Sequence, residues 1–334
     1  MIYPKCYDGM MSPFITFEGY LHPCCQVNYF SSIKNILSID NEYIKNPFND
    51  EDFSLYKNKY SEIIESKKWN RLINNLYKTR IRKCWSVCSS NEMLINSPMV
   101  EYSNEIERNN NNVKTKHINT IQIETSNRCT LGCPYCLRKT QPPSDILNKY
   151  DISLDILYDV FKYKNWNSVV DCGSYGDPIY YKKYHEMLSL INECVIKNYK
   201  VSVAATGKSN KWWDKTHHLW KELQDSGINV TIHWGIDGLE NTSKIHRINQ
   251  DWNEITTNMK IASKNGIECF WKYIPMSFNE HQIYEAKKLA EEWGVKFKLT
   301  PSDRFSKNDK MKPKNKKYYF DILVNGNIHT INKG

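Results

Sequence analysis

The sequence predicts an α/β fold with a parallel sheet, preceded by a small cysteine-rich domain. From His117 onward, short apolar runs typical of buried strands alternate with longer runs whose apolar residues have helical spacing. Eight of the eleven cysteines lie before residue 137. A polar segment of low complexity, residues 101–116, separates the two regions and is interpreted as a linker.

The larger domain is expected to span residues 117–302. Its alternation of strands and helices implies a parallel sheet with helical crossovers. The predicted strands are residues 118–123, 168–172, 200–205, 229–236, 267–274 and 295–299. The predicted helices between them are residues 151–162, 181–196, 211–225, 251–264 and 280–292. Functional residues of parallel α/β folds lie at the carboxyl ends of the strands, so the loops that follow the strands are the place to search.

The first domain is expected to span residues 1–100. Residues 14–22 contain two short strand-like pieces around a Glu-Gly pair, a pattern typical of a hairpin. Residues 61–77 carry apolar side chains at helical spacing. A hairpin and a helix in this order would bring two groups of cysteines within reach of one another.

Composition narrows the classes of protein that need to be considered. Of the 334 residues 40% are hydrophobic, which is enough for a sizeable core. No apolar run reaches the roughly 18 residues of a transmembrane helix, and no signal-peptide pattern opens the chain. A cytoplasmic, reducing location without a membrane partner is therefore expected. In that setting clustered cysteines are metal ligands more often than disulfides.

The net charge of +9 is concentrated near the end of the chain. Residues 303–334 are expected to form a basic connector followed by a hairpin whose turn is Asn325-Gly326. The basic side chains of the connector outnumber Asp303 and Asp309; they are Arg304, Lys307, Lys310, Lys312, Lys314, Lys316 and Lys317. Such a connector is compatible with a solvated tail or with an anionic partner such as nucleic acid.

A cysteine loop follows the first predicted strand of the larger domain. Cys129, Cys133 and Cys136 lie within eight residues and can hold three corners of a metal cluster. Zinc usually takes a fourth protein ligand, and Cys172 is too far along the chain to belong to the same loop. A [4Fe–4S] cluster tolerates three thiolates and leaves one iron open. A zinc site and three buried thiols remain the alternatives.

The Cys-x3-Cys-x2-Cys spacing, with the aromatic Tyr135 before the last cysteine, resembles the signature loop of the radical S-adenosylmethionine (radical SAM) superfamily. The resemblance implies a partial (β/α)6 TIM-like barrel. It implies a [4Fe–4S] cluster whose open iron is chelated by the amino and carboxylate groups of SAM. An electron from the cluster, supplied by a donor such as flavodoxin or ferredoxin, then cleaves SAM to a 5′-deoxyadenosyl radical. In this family the backbone at the position of Tyr135 meets the adenine.

The loop after the second strand resembles the Gly-Gly-Glu-Pro motif of the same family. Ser174, Tyr175, Gly176 and Asp177 precede Pro178, with Tyr175 where the first Gly usually stands and Asp177 where the Glu stands. The resemblance implies that this backbone and the acidic group hold the amino nitrogen of SAM. Small residues suit a close approach of backbone to ligand. Without the cysteine loop, the segment would be interpreted as an ordinary strand-to-helix turn.

The end of the fourth strand resembles the Ser-x-Asp-Gly…His-Arg pattern of SPASM-type radical SAM enzymes. Here the pattern reads Gly235, Asp237, His246 and Arg247. The resemblance implies that Arg247 pairs with the carboxylate of SAM, for which a guanidinium fork is suited. Gly235 stands at the Ser position, so the hydroxyl contact to the ribose is missing, and water or Asp237 is expected to replace it. A surface charge on a helix is the alternative role for Arg247.

The cysteines of the first domain carry a second resemblance. Cys6, Gly19 and Cys24 have the spacing that opens SPASM or twitch auxiliary-cluster domains. Cys25 is the alternative ligand at this place, and the four-residue spacing after Gly19 favours Cys24. The resemblance implies a second, auxiliary [4Fe–4S] cluster completed by Cys84 and Cys88. Such domains usually follow the radical SAM core, whereas this one precedes it, and the cysteines suffice for one auxiliary cluster. Zinc bound by the same four thiolates is the alternative.

We therefore expect a radical SAM enzyme whose auxiliary cluster takes an electron or binds substrate, with a peptide or protein as the favoured substrate. One alternative is a radical SAM enzyme that modifies a small molecule or nucleotide, with the basic tail steering a phosphorylated substrate. Another is a non-catalytic protein that binds metal or nucleic acid. No catalytic acid–base residue is assigned; His233 and Lys272 are candidates, and Cys172 is expected to be a buried thiol.

Overall fold

The computed structural model describes part of the chain, which divides into two compact units. The described residues are 12–23, 38–39, 42–43, 51–78, 119–140, 150–194, 196–300, 302, 305, 309–315, 318, 320–324 and 327–331. One unit comprises Met1–Ile123 and Ile152–Val170, and the other comprises Glu124–Asp151 and Asp171–Gly334. The predicted linker, residues 101–116, lies outside the described residues.

The elements are numbered along the chain. The strands are β1 Phe14–Ile15, β2 Leu21–His22, β3 Ser38–Ile39, β4 Glu42–Tyr43, β5 Thr120–Ile123, β6 Ser168–Asp171, β7 Asn198–Val203, β8 Asn229–Gly235, β9 Glu268–Tyr273, β10 Lys296–Leu299, β11 Phe320–Val324 and β12 Asn327–Ile331. The helices are α1 Tyr60–Glu65, α2 Lys67–Lys78, α3 Leu137–Thr140, α4 Leu154–Tyr163, α5 Tyr184–Glu193, α6 Asn210–Asp225, α7 Ser243–His246, α8 Trp252–Lys264 and α9 Ile283–Glu292. Short 3-10 helices span Glu51–Phe53, Pro178–Tyr180 and Glu280–Gln282.

The predicted alternation of strands and helices is confirmed. The six strands expected between residues 118 and 299 are β5 to β10, and the five intervening helices are α4, α5, α6, α8 and α9. The chain thus has a mixed α/β fold whose main strands are mostly parallel, as a partial (β/α)6 barrel requires. No helix within the described ranges is long and apolar enough to cross a membrane.

The first unit begins with the predicted hairpin. β1 and β2 pair antiparallel, and Gly19 in their turn has a φ of +78°, which favours glycine. Strand β1 also pairs in parallel with β5, so the strand order in this unit is β6-β5-β1-β2. The hairpin assigned to the cysteine-rich domain is therefore hydrogen-bonded directly to the first strand of the predicted core.

The helix predicted over residues 61–77 is interrupted, and this part of the prediction is wrong. Ser66 has an extended backbone and separates α1 from α2. Its Oγ donates to the carbonyl of Ile63 at 2.7 Å and accepts from the backbone N–H of Trp69 at 3.0 Å. A serine hydroxyl that satisfies backbone groups in this way competes with the helix ladder and ends one helix while beginning the next.

Strands β7 to β10 of the second unit pair in parallel in sequence order. One face of these strands is apolar, and its buried side chains are Tyr199, Val201, Val203, Val230, Ile232, Trp234, Cys269, Trp271 and Tyr273. The alternate residues place polar side chains on the opposite face; they include Lys200, Ser202, Thr231, His233 and Lys272. One face is thus core and the other is available for chemistry.

The C-terminal hairpin predicted from the Asn325-Gly326 pair is also present. β11 and β12 pair antiparallel, with Val324 opposite Asn327. The pairing of the two strands agrees with the hairpin that the sequence pattern predicts.

The two faces of β8 predict a clear difference in stability between substitutions. Ile232 is 0% exposed on the apolar face, so Ile232→Ala should lower the free energy of unfolding by about 3 kcal/mol. The control Ile261→Ala lies on α8, where the side chain is 38% exposed, and should change it by less than about 0.5 kcal/mol. Urea denaturation of both variants checks this. Equal losses would show that β8 does not bury this face.

Candidate active site

The cysteine loop leaves the end of β5 and is anchored to two other strand ends in the same unit. The Thr130 hydroxyl donates to the carbonyl of Thr206 at 2.9 Å, after β7. The N–H of Gly132 donates to the carbonyl of Ile248 at 2.9 Å, and the Asn249 amide donates to the carbonyl of Thr130 at 3.3 Å. Anchors on both sides fix the loop over the carboxyl edge of the sheet, where the sequence predicts it.

All three cysteines of the loop line one cavity of about 300 Å³. Cys133 is buried and the other two are half-buried. Burial, together with the charge of Asp177, raises the pKa of Cys129 to about 12. The Cys129 thiol is therefore protonated when free, and a metal has to displace its proton. Within the described residues, no three Cys, His, Asp or Glu side chains converge on a single-ion site.

Arg138 folds back over this loop from α3. Its guanidinium donates to the carbonyls of Cys129 at 3.2 Å and Leu131 at 2.9 Å. Its Nε lies 3.5 Å from the sulfur of Cys136. Arg138 in this position stabilises the loop conformation by bonding two of its carbonyls beside the Cys136 sulfur.

Glu124, which the motif comparison does not single out, organises the loop after β6. It is 1% exposed and accepts the backbone N–H groups of Tyr175 at 2.7 Å, Ser174 at 2.9 Å and Gly176 at 3.0 Å. Burial raises the pKa of Glu124 to about 7, against the opposing effect of these three hydrogen bonds. The only signal in the sequence is an acidic residue directly after a buried strand.

Gly176 is required by a close approach within the chain itself. A Cβ at this position would lie 1.9 Å from the carbonyl oxygen of Ser126. No larger residue fits without displacing the backbone that leads into the cysteine loop. The small residue is expected from the close approach of a ligand, whereas the structure gives a steric reason inside the protein.

Asp177 is buried, and its carboxylate accepts backbone hydrogen bonds from two loops. Oδ2 accepts from Ala204 at 2.8 Å and Ala205 at 2.7 Å, and Oδ1 accepts from Ile179 at 3.3 Å. Burial raises the pKa of Asp177 in spite of these bonds. The carboxylate thus ties the β6 loop to the end of β7, and the cavity also reaches this residue.

Asp237 and Arg247 form a buried ion pair at the end of β8. Oδ2 of Asp237 accepts from Arg247 Nε at 2.6 Å and from His246 Nδ1 at 2.8 Å, and Oδ1 accepts from the Ile274 N–H at 2.9 Å. Burial raises the pKa of Asp237, but the charge of Arg247 and the His246 hydrogen bond outweigh it, and the pKa falls to about 2.

Arg247 is therefore not a surface charge. Its side chain is 18% exposed and lines the cavity, and its charge lowers the pKa of Cys133 against the effect of burial. Asp237 is 0% exposed and is not among the described residues that line the cavity, so its contacts are those of a residue that positions Arg247.

Gly235 makes room for this guanidinium. A Cβ at residue 235 would lie 3.1 Å from Arg247 Nη2 and 3.2 Å from the Cβ of Ala204. The amide of the buried Gln250 donates to the carbonyls of Gly235 at 2.9 Å and Ala204 at 2.7 Å, which holds the two strand ends together. The Gly at the position of the family's Ser is thus coupled to the placement of Arg247.

Tyr135 connects the loop to the predicted basic connector. Its ring lies 5.3 Å from that of Phe305 in an edge-to-face arrangement, and its hydroxyl donates to the carboxylate of Asp309. Burial and this hydrogen bond raise the pKa of Tyr135 to about 12. Glu280 accepts the N–H groups of Lys314 and Asn315, so this part of the connector is fastened to the protein.

The remaining predicted residues divide into two groups. Cys172, His233 and Lys272 line the cavity from the polar side of the strands. Cys6, Cys24, Cys84 and Cys88 lie outside the described residues, and their role as ligands of a second cluster stays a prediction.

A family model described as "Radical SAM superfamily" matches residues 123–290, about half of the chain. No curated protein matches this chain. Two solved structures of SuiB from Streptococcus suis are similar to this chain. The structure with S-adenosylmethionine has a TM-score of 0.45 and 15% identity over 92% of this chain and 65% of that chain. The structure with the precursor peptide SuiA has a TM-score of 0.44 and 14% identity over 87% and 61%.

The structure of methylornithine synthase (PylB) has a TM-score of 0.39 and 11% identity over 54% of this chain and 52% of that chain. The chain thus spans between 52% and 65% of the length of these three structures.

Replacing Glu124 should flatten the pH dependence of stability. Because burial raises its pKa from 4.5 to about 7, the folded state binds more protons than the unfolded state between these values. The free energy of unfolding should therefore fall as the pH rises from about 4.5 to about 7. Burial also raises the pKa of Asp171, which makes the free energy of unfolding fall with rising pH in wild type and in the Glu124→Gln variant alike. Glu124→Gln should remove the part of this fall in the free energy of unfolding that the Glu124 carboxyl contributes.

Urea denaturation of iron-free protein between pH 4.5 and 7.5 measures this difference. Glu222→Gln, at a half-exposed position on α6, is the matched control and should keep the wild-type profile. Identical profiles for wild type and Glu124→Gln would contradict the buried role of this carboxylate.

Proposed function

Because the chain belongs to the radical SAM superfamily, we propose that it is an enzyme whose Cys129, Cys133 and Cys136 hold a [4Fe–4S] cluster beside a site for SAM. When bound, the cluster would supply an electron and SAM would supply the 5′-deoxyadenosyl radical that removes a hydrogen atom from the substrate. The observation that carries the proposal is that the three cysteines and Arg247 line the same cavity.

The residues present fit these groups chemically. Among the described residues, no fourth protein ligand joins the three thiols. Such a set suits a cubane cluster with one open iron better than zinc, which usually takes four protein ligands in a structural site. Arg247 contacts Cys133, so a carboxylate bound by its fork would lie next to the cluster ligands. Asp237 occupies only Nε at 2.6 Å, which leaves the terminal nitrogens of the guanidinium as donors.

The loop of residues 174–176 is prepared by Glu124. The carboxylate of Glu124 accepts hydrogen bonds from all three N–H groups of that loop, so these groups are not available to a ligand. The carbonyls of the loop are therefore the acceptors that remain for the amino group of SAM. Asp177 can contribute the second lone pair of Oδ1, since only the Ile179 N–H bonds that oxygen.

We further propose that Cys6, Cys24, Cys84 and Cys88 bind an auxiliary [4Fe–4S] cluster that takes an electron or binds substrate. The spacing of Cys6, Gly19 and Cys24 supports this assignment, and Gly19 lies in the turn of the β1–β2 hairpin as that resemblance requires. A peptide or protein is the proposed substrate, and flavodoxin or ferredoxin is the proposed class of electron donor.

Iron content and SAM cleavage test the two cluster sites together. After anaerobic reconstitution, wild-type protein should bind about eight irons and release 5′-deoxyadenosine from SAM under a strong reductant. The Cys129/Cys133/Cys136→Ala variant should bind about four irons and release none. Cys194→Ala, which removes a buried cysteine at the end of α5, is the control and should keep both properties.

A variant that lacks Cys6, Cys24, Cys84 and Cys88 separates the clusters. It should lose the other four irons and still cleave SAM. Zinc in that site with four irons in the wild type would contradict the auxiliary cluster alone. A fully iron-loaded wild-type protein that makes no 5′-deoxyadenosine would contradict the proposed activity.

Arg247→Lys should weaken SAM binding about tenfold, equivalent to about 1.4 kcal/mol, because an ammonium cannot form the two parallel hydrogen bonds of a guanidinium. Lys244→Gln on the adjacent helix α7 is exposed and should leave the affinity unchanged. Equilibrium dialysis with labelled SAM on iron-loaded protein measures both. Equal affinities of wild type and Arg247→Lys for SAM would show that the Arg247 guanidinium does not bind SAM.

A further inference from the structure

The polar face of β8 to β10 carries more positive charge than the described residues neutralise. Lys272 on β9 lies in register with Lys298 on β10 on one side and with Gly235 on β8 on the other. Parallel strands place these side chains on the same face. Gly235 has no side chain to separate Lys272 from Arg247, so three cations adjoin one another.

The cations of this face differ in whether they are paired. Asp237 pairs with Arg247 at 2.6 Å, and Glu268 pairs with Lys296 at 2.6 Å. Within the part of the chain that the structure describes, the ammonium groups of Lys272 and Lys298 make no hydrogen bond and no ion pair. Lys298 is exposed, whereas Lys272 is partly buried. A partly buried cation such as Lys272 is costly without a partner, and a bound anion offsets that cost.

The surroundings of Lys272 agree with this imbalance. Burial lowers the pKa of Lys272, and the charges of Arg247 and Lys298 lower it further. Burial and the neighbouring lysines lower the pKa of His233 to about 3, so its ring is neutral near pH 7. His233 therefore adds no charge to the cluster, but it offers a hydrogen-bonding nitrogen in the same cavity.

The position of Lys272 separates it from the proposed site of the SAM carboxylate. Arg247 lines the cavity together with Cys133, one of the proposed cluster ligands, and its charge acts on that thiol. Lys272 lies one strand away on the polar face, where Cys172, Ser202 and His233 also line the cavity. A ligand held at Lys272 would thus share the cavity with SAM without competing for Arg247.

We infer that Lys272, with Lys298 beside it, binds an anionic oxygen group of the substrate, either a carboxylate or a phosphate. The inference rests on the proposed function, because it places the substrate in the cavity that holds the cluster ligands. It narrows the substrate class to molecules with an anion close to the reacting position. In a peptide, that anion would be an acidic side chain or the chain terminus.

Binding of two matched small molecules tests the inference. N-acetyl-glutamate methylamide carries one carboxylate, and N-acetyl-glutamine methylamide is its neutral counterpart. Ligand-observed NMR titrations on anaerobic holoenzyme with saturating SAM measure both affinities. The charged compound should bind wild type at least tenfold more tightly than the neutral one.

The variants assign that preference to particular residues. Lys272→Gln should reduce the affinity for the charged compound about tenfold, and Lys298→Gln should reduce it by a smaller factor. Lys296→Gln is the matched control, because Lys296 shares the strand and face of Lys298 but is already paired with Glu268. It should retain wild-type affinity. Lys298 is exposed, so this second variant stays informative if Lys272→Gln fails to fold.

Inorganic phosphate, added as a competitor, distinguishes the two sources of the anion. If phosphate displaces the charged compound at a concentration below that of the compound, the substrate is phosphorylated. If displacement needs a large excess of phosphate, the anion is a carboxylate. Equal affinity of wild type for both compounds, or an unchanged affinity in both Lys272→Gln and Lys298→Gln, would overturn the inference. SAM cleavage measured on the same wild-type preparation tests the proposed function separately.

Discussion

The cavity depends on the ion pair between Asp237 and Arg247. A carboxylate that is 0% exposed is costly unless it is paired, and here Arg247, His246 and the Ile274 N–H all donate to it. Removing one partner of such a pair typically costs about 3–5 kcal/mol, because the other charge stays buried. The pair fixes the guanidinium beside Cys133 and ties the ends of β8 and β9 together. Everything proposed about the carboxylate of SAM follows from this placement.

Acidic residues at the other strand ends act in a different way. Glu124 and Asp177 accept six backbone N–H bonds between them and thereby shape the loops that enclose the cavity. Asp177 also lines the cavity, so its carboxylate both holds these loops and keeps one lone pair of Oδ1 for the proposed contact to SAM. Arg247 and Lys272 line the same cavity and are the groups that we propose bind anionic parts of SAM and of the substrate.

Most of the fold follows from periodicity in the sequence. Apolar runs and helical spacing identify β5 to β10 and the helices between them, because each element buries one face. The break at Ser66 is missed, since a hydroxyl that bonds the helix backbone leaves the apolar spacing unchanged. The cysteine loop and the His246-Arg247 pair, which line the cavity, can be found from the sequence because each motif lies within a few consecutive residues.

The features that the sequence does not reveal depend on contacts between distant residues. Glu124 bonds a loop about fifty residues away, and nothing in either segment alone indicates the partner. Gly235 departs from the motif of the family, and its steric relation to Arg247 becomes visible only when the strand and the helix are placed together. The pairing of Lys272 with Lys298 depends on the register of β9 and β10, which turns two ordinary strand lysines into a pair on one face.

We propose that the cysteine loop holds a cluster with one iron open to SAM. Electron paramagnetic resonance spectra of the reduced protein, recorded before and after addition of SAM, are the first measurement to make. SAM should shift one cluster signal, and this signal should be missing when Cys129, Cys133 and Cys136 are replaced. A cluster signal from this loop that does not change when SAM is added would overturn the proposal.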